Sequence, residues 1–326
     1  MTRSARLRAY AKLNLGLRVL YKRPDGYHEL RTVFQTISLA DVLEVDFTRG
    51  RKTRIKIEGT PEIPDNLVEK AARLALDAMQ IHGDIRFGLK KNIPSGAGLG
   101  GGSSDAAAVL LALPVLAGKI IPGERLFAIA AQLGSDVPFF LQGGTALGLG
   151  RGEELYPLPS HRVPYALVIA PTIHSSTAEA YRDLSARLTS IPLQNKLHSF
   201  QQKLWQGSGD PELGIDENDF EPVVFARHPE LRKIRGRLVR AGATLSAMTG
   251  SGSAVFGIFA DAAGLERAKK SFSDKLCDGI SNERVFPVSF LSRAQYRSAW
   301  NRALRPHIVS PGTIEHELWP PRSAHA

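Results

Sequence analysis

The run Pro94-Ser95-Gly96-Ala97-Gly98-Leu99-Gly100-Gly101-Gly102-Ser103-Ser104 constrains this chain more than any other stretch. Five of the seven positions from 96 to 102 are glycine. Such a backbone can adopt positive φ and approach a ligand closely. Successive N–H groups then point inward and form a nest for an anion. Ile85–Lys90, before the loop, is predicted as a strand. Ala106–Leu113, after it, is predicted as a buried, almost wholly apolar helix. Ser103, Ser104 and Asp105 suit the start of that helix. Its positive N-terminal end adds to the attraction for phosphate. A flexible linker is the bland alternative, but linkers rarely join a strand to an apolar helix.

Two better-known phosphate motifs fit less well. A Walker A loop needs a lysine that this run lacks. Gly96-x-Gly98-x-x-Gly101 matches the dinucleotide fingerprint, as any glycine run can. The acidic residue expected about twenty positions on is not well placed, and no parallel βαβ pattern surrounds the loop.

Elsewhere the periodicity alternates between strand and helix. In Ala11–Val19, Leu13, Leu15, Leu17 and Val19 alternate with Lys12, Asn14, Gly16 and Arg18, so Lys12 and Asn14 share one face of a strand. Pro24-Asp25-Gly26 is a turn signal. Thr32–Ile37 and Val42–Phe47 read as two further strands, and Asn66–Ile81 as a helix. A second helix is predicted from Gly123 to Gln132, and Gly143–Gly152 is β-like. The prolines of Leu155–Pro164 suggest a domain junction. Beyond it come a strand (Tyr165–Ala170), a helix (Thr177–Leu188) and Leu197–Gly214, whose pattern is ambiguous. A helix (Pro229–Ala241), two strands (Thr244–Met248 and Ala254–Phe259), a helix (Ala262–Leu276) and a closing strand (Val285–Phe290) follow. The pattern is α+β in two domains, 1–160 and 161–292, with 293–326 expected as an irregular extension.

Composition narrows the partners. The 326 residues carry a formal net charge of +10, which favours anionic partners. The basic residues are scattered in short pairs such as Lys90-Lys91 and Lys269-Lys270. One cysteine forbids a zinc finger, and the aromatic RNA-binding signature is absent, so no nucleic-acid role is expected. Cys277 alone also means no intrachain disulfide, which fits the cytoplasm. The most apolar run, Ala106–Gly118, is too short to span a bilayer, and the N-terminus shows no secretory pattern. No membrane partner is expected, and the chain is expected to be a monomer or weak homodimer.

Two further signals stand out. In Leu133-Gly134-Ser135-Asp136-Val137-Pro138-Phe139-Phe140 a carboxylate sits among apolar residues. That is costly unless it is paired, and Lys12 is a candidate partner. A helix cap or turn is the plainer reading of Asp136. Thr249-Gly250-Ser251-Gly252-Ser253 lies between two predicted strands. It reads as a plain hairpin turn or as a close approach of backbone to ligand.

These motifs, in this order, resemble the GHMP kinase superfamily, which includes galactokinase, homoserine kinase and mevalonate kinase. The glycine loop is similar to its ATP-binding motif, and Met248–Phe256 to its C-terminal motif. Ala11-Lys-Leu-Asn-Leu-Gly-Leu17 and Arg23-Pro-Asp-Gly-Tyr-His28 narrow the likeness. So do the Asp136 motif and Glu217-Asn-Asp-Phe-Glu-Pro222. Together they resemble the branch that phosphorylates the 2-hydroxyl of a cytidyl diphosphate sugar alcohol in the non-mevalonate isoprenoid pathway. The likeness covers most of residues 5–290.

The resemblance implies a ribosomal protein S5 domain 2-like N-terminal domain, a ferredoxin-like C-terminal domain and a cleft between them. It implies ATP and Mg2+ as cofactors. Asp136 matches the catalytic aspartate, a general base for the hydroxyl, and Lys12 the catalytic lysine. Pro94–Ser104 would bind the ATP phosphates, with Asn66 and Lys91 near the nucleotide. Tyr27 matches the residue that stacks on cytosine and His28 the one that reads its edge. Tyr181 would supply a second stacking ring, Asn14 would contact the acceptor near Lys12, and Gly250 and Ser251 would line the acceptor site. His174 and Ser175 stand where some relatives place an aromatic. No dedicated metal ligand is evident, so the nucleotide would carry magnesium, with Asp136 and Ser104 as helpers. The alternatives are a homoserine- or mevalonate-type kinase and a catalytically silent nucleotide-binding homologue.

Overall fold

The computed structural model describes residues 1–59, 65–160, 163–173, 175–188, 217–273, 283–308 and 320. His174 and the ambiguous stretch Leu197–Gly214 lie outside these residues.

A long antiparallel pair, β1 (Thr2–Lys22) and β2 (His28–Gly50), organises the N-terminal half. The Pro24-Asp25-Gly26 turn joins them, with Gly26 at φ +87° and its N–H donating to the Arg23 carbonyl at 3.1 Å. The two strands expected at Thr32–Ile37 and Val42–Phe47 are one strand. The residues between them continue the strand, and Asp41 is fully buried and bonded there. At its far end β2 pairs with β4 (His82–Lys90), which pairs in parallel with β3 (Arg54–Glu58). At its near end β2 pairs with β5 (Thr145–Leu149), followed by β6 (Glu154–Pro157). The pairing of β6 with β5 makes the predicted junction partly a strand.

Irregularities in β1 let one strand serve three cores. Register shifts fall between Tyr10 and Lys12, between Asn14 and Gly16, and between Val19 and Tyr21. Each re-aims the strand's faces. Ala5, Leu7 and Ala9 enter the core under the N-terminal helices. Ala11, Leu13 and Leu15 pack against the second sheet. Leu17 and Val19 enter the C-terminal core. The Lys12–Asn14 face, which the alternation sets apart from the leucines, is itself buried.

Helices α1 (Leu67–Met79), α2 (Gly101–Ala117), α3 (Gly123–Leu133) and α4 (Val137–Gln142) cover the first sheet. Helix α2 starts at Gly101, with Gly100 as its cap, so Gly101, Gly102, Ser103 and Ser104 form its first turn. Helix α4 was not visible in the sequence, because six residues with a proline at the second show no helical period.

The second sheet has the order β10-β7-β9-β8. Strands β7 (Ala166–Ala170), β8 (Leu245–Met248), β9 (Val255–Ile258) and β10 (Arg284–Val288) are antiparallel neighbours. Helices α5 (Thr177–Leu188), α6 (Glu221–Arg227) and α7 (Pro229–Arg240) lie between β7 and β8 in the chain, and α8 (Ala262–Ser273) between β9 and β10. This is the ferredoxin-like β-α-β-β-α-β arrangement expected from the sequence.

Residues 293–304, expected as irregular, form helix α9 (Arg293–Leu304). A capping box at Ser292 and Gln295 starts it. Tyr296, Trp300 and Leu304 are buried against the N-terminal core, and the Tyr296 hydroxyl donates to the Phe140 carbonyl at 2.5 Å. Gly143 makes room, since a Cβ there would sit 2.4 Å from the Tyr296 ring. The tail sequence hid this helix because its polar residues are many and its buried ones few. Trp300→Ala is therefore expected to lower the free energy of unfolding by about 3–5 kcal/mol. Urea denaturation checks it, and a change below about 0.5 kcal/mol would mean that α9 does not belong to the core.

Candidate active site

A cleft of about 930 Å³ lies where the glycine loop, β1, the start of α4, the β1–β2 turn and the β8–β9 turn converge. Its floor is made by Lys12, Asn14, Thr32 and Phe34, which the long hairpin presents on one face.

The glycine loop forms one wall, and it is bonded on both sides. The Lys12 N–H donates to the Leu99 carbonyl at 3.0 Å, and the Ala254 N–H donates to the Ala97 carbonyl at 3.1 Å. Ala97 and Leu99 turn into the inter-sheet core, while Gly96, Gly98 and Gly100 face the cleft. Gly98 has φ +77°, and a Cβ there would lie 2.2 Å from the Thr249 carbonyl oxygen. Only glycine tolerates both conditions. Thr249 completes the contact: its backbone N–H bonds within the second sheet, and its hydroxyl lies 3.3 Å from the Gly98 carbonyl. That hydroxyl also accepts the Asn14 backbone N–H at 2.9 Å. Asn218 holds the same turn from below, donating to the Met248 and Gly250 carbonyls at 2.7 and 2.8 Å. Gly250 and Ser251 line the cleft here. The turn is thus a close backbone approach, and more than a plain hairpin.

Lys12 and Asp136 meet at the centre. The Lys12 ammonium is 3.3 Å from an Asp136 carboxylate oxygen and 2.5 Å from Asn14 Oδ1. It also sits over the Phe34 ring at 5.5 Å. The Lys12 side chain is 4% exposed, whereas that of Asp136 is 33% exposed. A buried ammonium needs such partners. The carboxylate keeps one face toward the cleft, ready to accept a proton. Asn14 Nδ2 donates to the Thr32 hydroxyl at 2.7 Å, which fixes its Oδ1 toward Lys12. Asp136 precedes α4, whose Pro138 sets the turn that aims it.

Aromatic residues gather at the far end. His28 stacks on Tyr181 with centroids 4.9 Å apart, and its Nε2 lies 2.7 Å from the Ser185 hydroxyl. Burial, and then the nearby Lys22, lower the His28 pKa, which favours the neutral ring. Phe220 meets Tyr181 edge-on at 4.8 Å. Burial and the Asp136 charge push the Tyr181 phenol upward, so it stays protonated. The Tyr27 ring is 54% exposed, with the Arg151 guanidinium 4.7 Å from its centroid.

Several expected positions lie apart from this cleft. Asn66 caps α1, accepting the Val68 N–H at 3.0 Å, and does not line the cleft. The Ser104 hydroxyl turns inward and donates to the Tyr10 carbonyl at 2.7 Å, so Ser103 is the serine that faces the cleft. Lys91 is held between Asp41 and Asp105 behind the loop. Pro94, Ser95, Leu99, Gly101 and Gly102 shape the loop and helix start without lining the cleft. Arg151, Ser135, Thr32 and Phe34 line it and were not foreseen. Among the described residues, no group of three or more His, Cys, Asp or Glu is placed to hold a metal ion. No helix among them is long and apolar enough to cross a membrane.

Comparison with known proteins gives a consistent family. The GHMP kinases N terminal domain matches residues 66–144, and the GHMP kinases C terminal domain matches residues 200–277. A 4-diphosphocytidyl-2-C-methyl-D-erythritol kinase of Solibacter usitatus is 52% identical over 99% of this chain and 98% of its own length. One of Prosthecochloris aestuarii is 40% identical over 88% of this chain and 98% of its own. A crystal structure of 4-(cytidine 5'-diphospho)-2C-methyl-D-erythritol kinase superposes with a TM-score of 0.66 at 36% identity, covering 90% of this chain and all of its own. The first of these likenesses runs past residue 292, beyond the limit read from the motifs.

The cluster behind the loop carries a pH signature. Lys91 pairs with both Asp41 and Asp105, and Asp105 Oδ1 is buried without a hydrogen-bond partner. Burial raises the Asp105 pKa to about 7, against the pull of Lys91. A carboxyl raised above its ordinary value of about 3.9 stabilises the fold below that value, and the contribution is lost as pH rises through about 7. Asp105→Asn is therefore expected to gain stability relative to the parent between pH 5 and pH 8. Urea midpoints at the two pH values check this, and parallel shifts in both proteins would contradict it.

Proposed function

The chain belongs to the 4-diphosphocytidyl-2-C-methyl-D-erythritol kinase family of the GHMP kinases, and we propose that it transfers the γ-phosphoryl group of ATP to the 2-hydroxyl of that cytidyl acceptor through Lys12 and Asp136. One observation carries this reading: the Lys12–Asp136 pair lies in a single cleft, with the glycine loop on one side and the aromatic residues on the other.

The division of labour follows from chemistry. The loop from Gly96 to Ser103 and the N-terminus of α2 receive the phosphates through backbone N–H groups. The exposed Asp136 oxygen accepts the acceptor's hydroxyl proton as that oxygen attacks the γ-phosphorus and ADP departs. Lys12 holds Asp136 ionised and offsets charge on the moving phosphoryl group. Asn14 orients Lys12 and the acceptor. The Tyr27 ring stacks on cytosine, neutral His28 reads its edge, and Tyr181 backs His28 as the second ring. Asp136 is the one carboxylate that lines the cleft among the described residues, with Ser103 on the loop side, a donor set that suits magnesium brought by the nucleotide. When bound, the ion neutralises phosphate charge. We place the reaction in the cytoplasm, carried out by a monomer or weak homodimer.

Homoserine and mevalonate have no base to stack, so the Tyr27–His28 end separates the proposal from those rivals. ADP release from MgATP, with the cytidyl acceptor, homoserine, mevalonate or no acceptor, tests it. Turnover is expected with the cytidyl acceptor alone, and it should vanish with EDTA and return with Mg2+. In Asp136→Asn, kcat should fall about 10²- to 10⁴-fold, with ATP affinity kept. ATP binding without turnover on any acceptor would favour a silent homologue.

A further inference from the structure

We infer that Arg151 is the anchor for the acceptor's diphosphate and a determinant of acceptor specificity, an inference that rests on the cytidyl diphosphate reading above. Lys12 and Arg151 are the two Lys or Arg side chains that line the cleft among the described residues. Lys12 is engaged at the reacting centre by Asp136 and Asn14. The opposite end must still meet a doubly charged diphosphate between the cytidine and the sugar alcohol.

Arg151 is built to stay in place. It sits on the turn between β5 and β6, where the Gly150 carbonyl accepts the Leu30 N–H at 2.6 Å. The Gly150 N–H donates to Glu29, which also pairs with Arg23 at 3.0 Å. This ties the Arg151 turn to the β1–β2 turn that carries Tyr27. Glu153 accepts the Arg151 backbone N–H at 2.7 Å and its Nε at 3.1 Å. One edge of the guanidinium is thus fixed by Glu153, and its plane lies over Tyr27. Tyr27 also bonds the guanidinium, and the side chain, 28% exposed, lines the cleft. Paired N–H donors in a plane match the oxygens of a phosphate. Glu153 and Tyr27 both favour the charged form. Glu153 offsets part of the charge but does not itself line the cleft. A nucleoside diphosphate whose base meets Tyr27 therefore brings its phosphates beside Arg151.

The test uses the full-length protein with its nucleotide site filled by a non-hydrolysable ATP analogue and magnesium. CDP and cytidine are the calorimetric probes, and acceptor turnover is measured in parallel without the analogue. In Arg151→Met, the affinity for CDP should fall about tenfold or more while that for cytidine changes less than threefold. The KM for the cytidyl acceptor should rise by a similar factor, the KM for ATP should hold within threefold, and Arg151→Lys should recover part of the loss. Equal weakening of CDP and cytidine would overturn the inference, because Arg151 would then act only by holding the Tyr27 ring. Unchanged CDP affinity in a folded Arg151→Met variant would overturn it too. If the parent protein itself turned over no cytidyl acceptor, the failure would belong to the kinase reading.

Discussion

The structure depends on one backbone contact, the approach of Gly98 to the Thr249 carbonyl. A methyl group at Gly98 would meet that oxygen at 2.2 Å. The glycine loop belongs to the first half of the chain and Thr249 to the second sheet. Their contact therefore sets how the two halves meet. It also sets the cleft, since Asn14, Gly98 and Gly250 all surround Thr249. A loop rich in glycine would lose much entropy on ordering. Here its order is supplied by neighbours, through Lys12 on one side and Ala254 on the other. The loop is thus preorganised, with Gly96, Gly98 and Gly100 lining the cleft. Preorganised dipoles act on developing charge without the cost of turning at the moment of reaction.

Strand β1 links this contact to the chemistry. Its Leu13 and Leu15 belong to the inter-sheet core and Leu17 to the C-terminal core, while Lys12 and Asn14 form the cleft floor. Burying an ammonium is expensive, and removing a partner from a buried ion pair costs about 3–5 kcal/mol. The protein meets that cost with Asp136, Asn14 and the face of Phe34. The same pairing leaves Asp136 half in the cleft. In the proposed reaction, one pair, Lys12 and Asp136, meets both a stability requirement and a catalytic one.

Much of this was legible in the sequence, for local reasons. Period-two alternation set Lys12 and Asn14 on one face, and a glycine run between a strand and an apolar helix pointed to phosphate. The carboxylate of Asp136 among apolar residues called for a cation. What stayed hidden depends on long-range partners. Ser104 and Lys91 look like loop donors in sequence, yet Tyr10, Asp41 and Asp105 draw them inward. Arg151 lies in the stretch Gly143–Gly152, read only as β-like, and only the fold brings it over Tyr27. Helix α9 was read as a loose tail because its buried face is three residues wide and its partners are more than 140 positions away.

The measurement that bears most directly on this account is ATP binding to Gly98→Ala in the full-length protein, followed by calorimetry alongside thermal unfolding. The contact requires that ATP affinity fall about tenfold or more and that the unfolding midpoint drop, since neither the positive φ nor the Thr249 carbonyl tolerates a side chain. A variant that bound ATP like the parent, at an unchanged midpoint, would show that the loop is not held by the second sheet, and the central claim would fail.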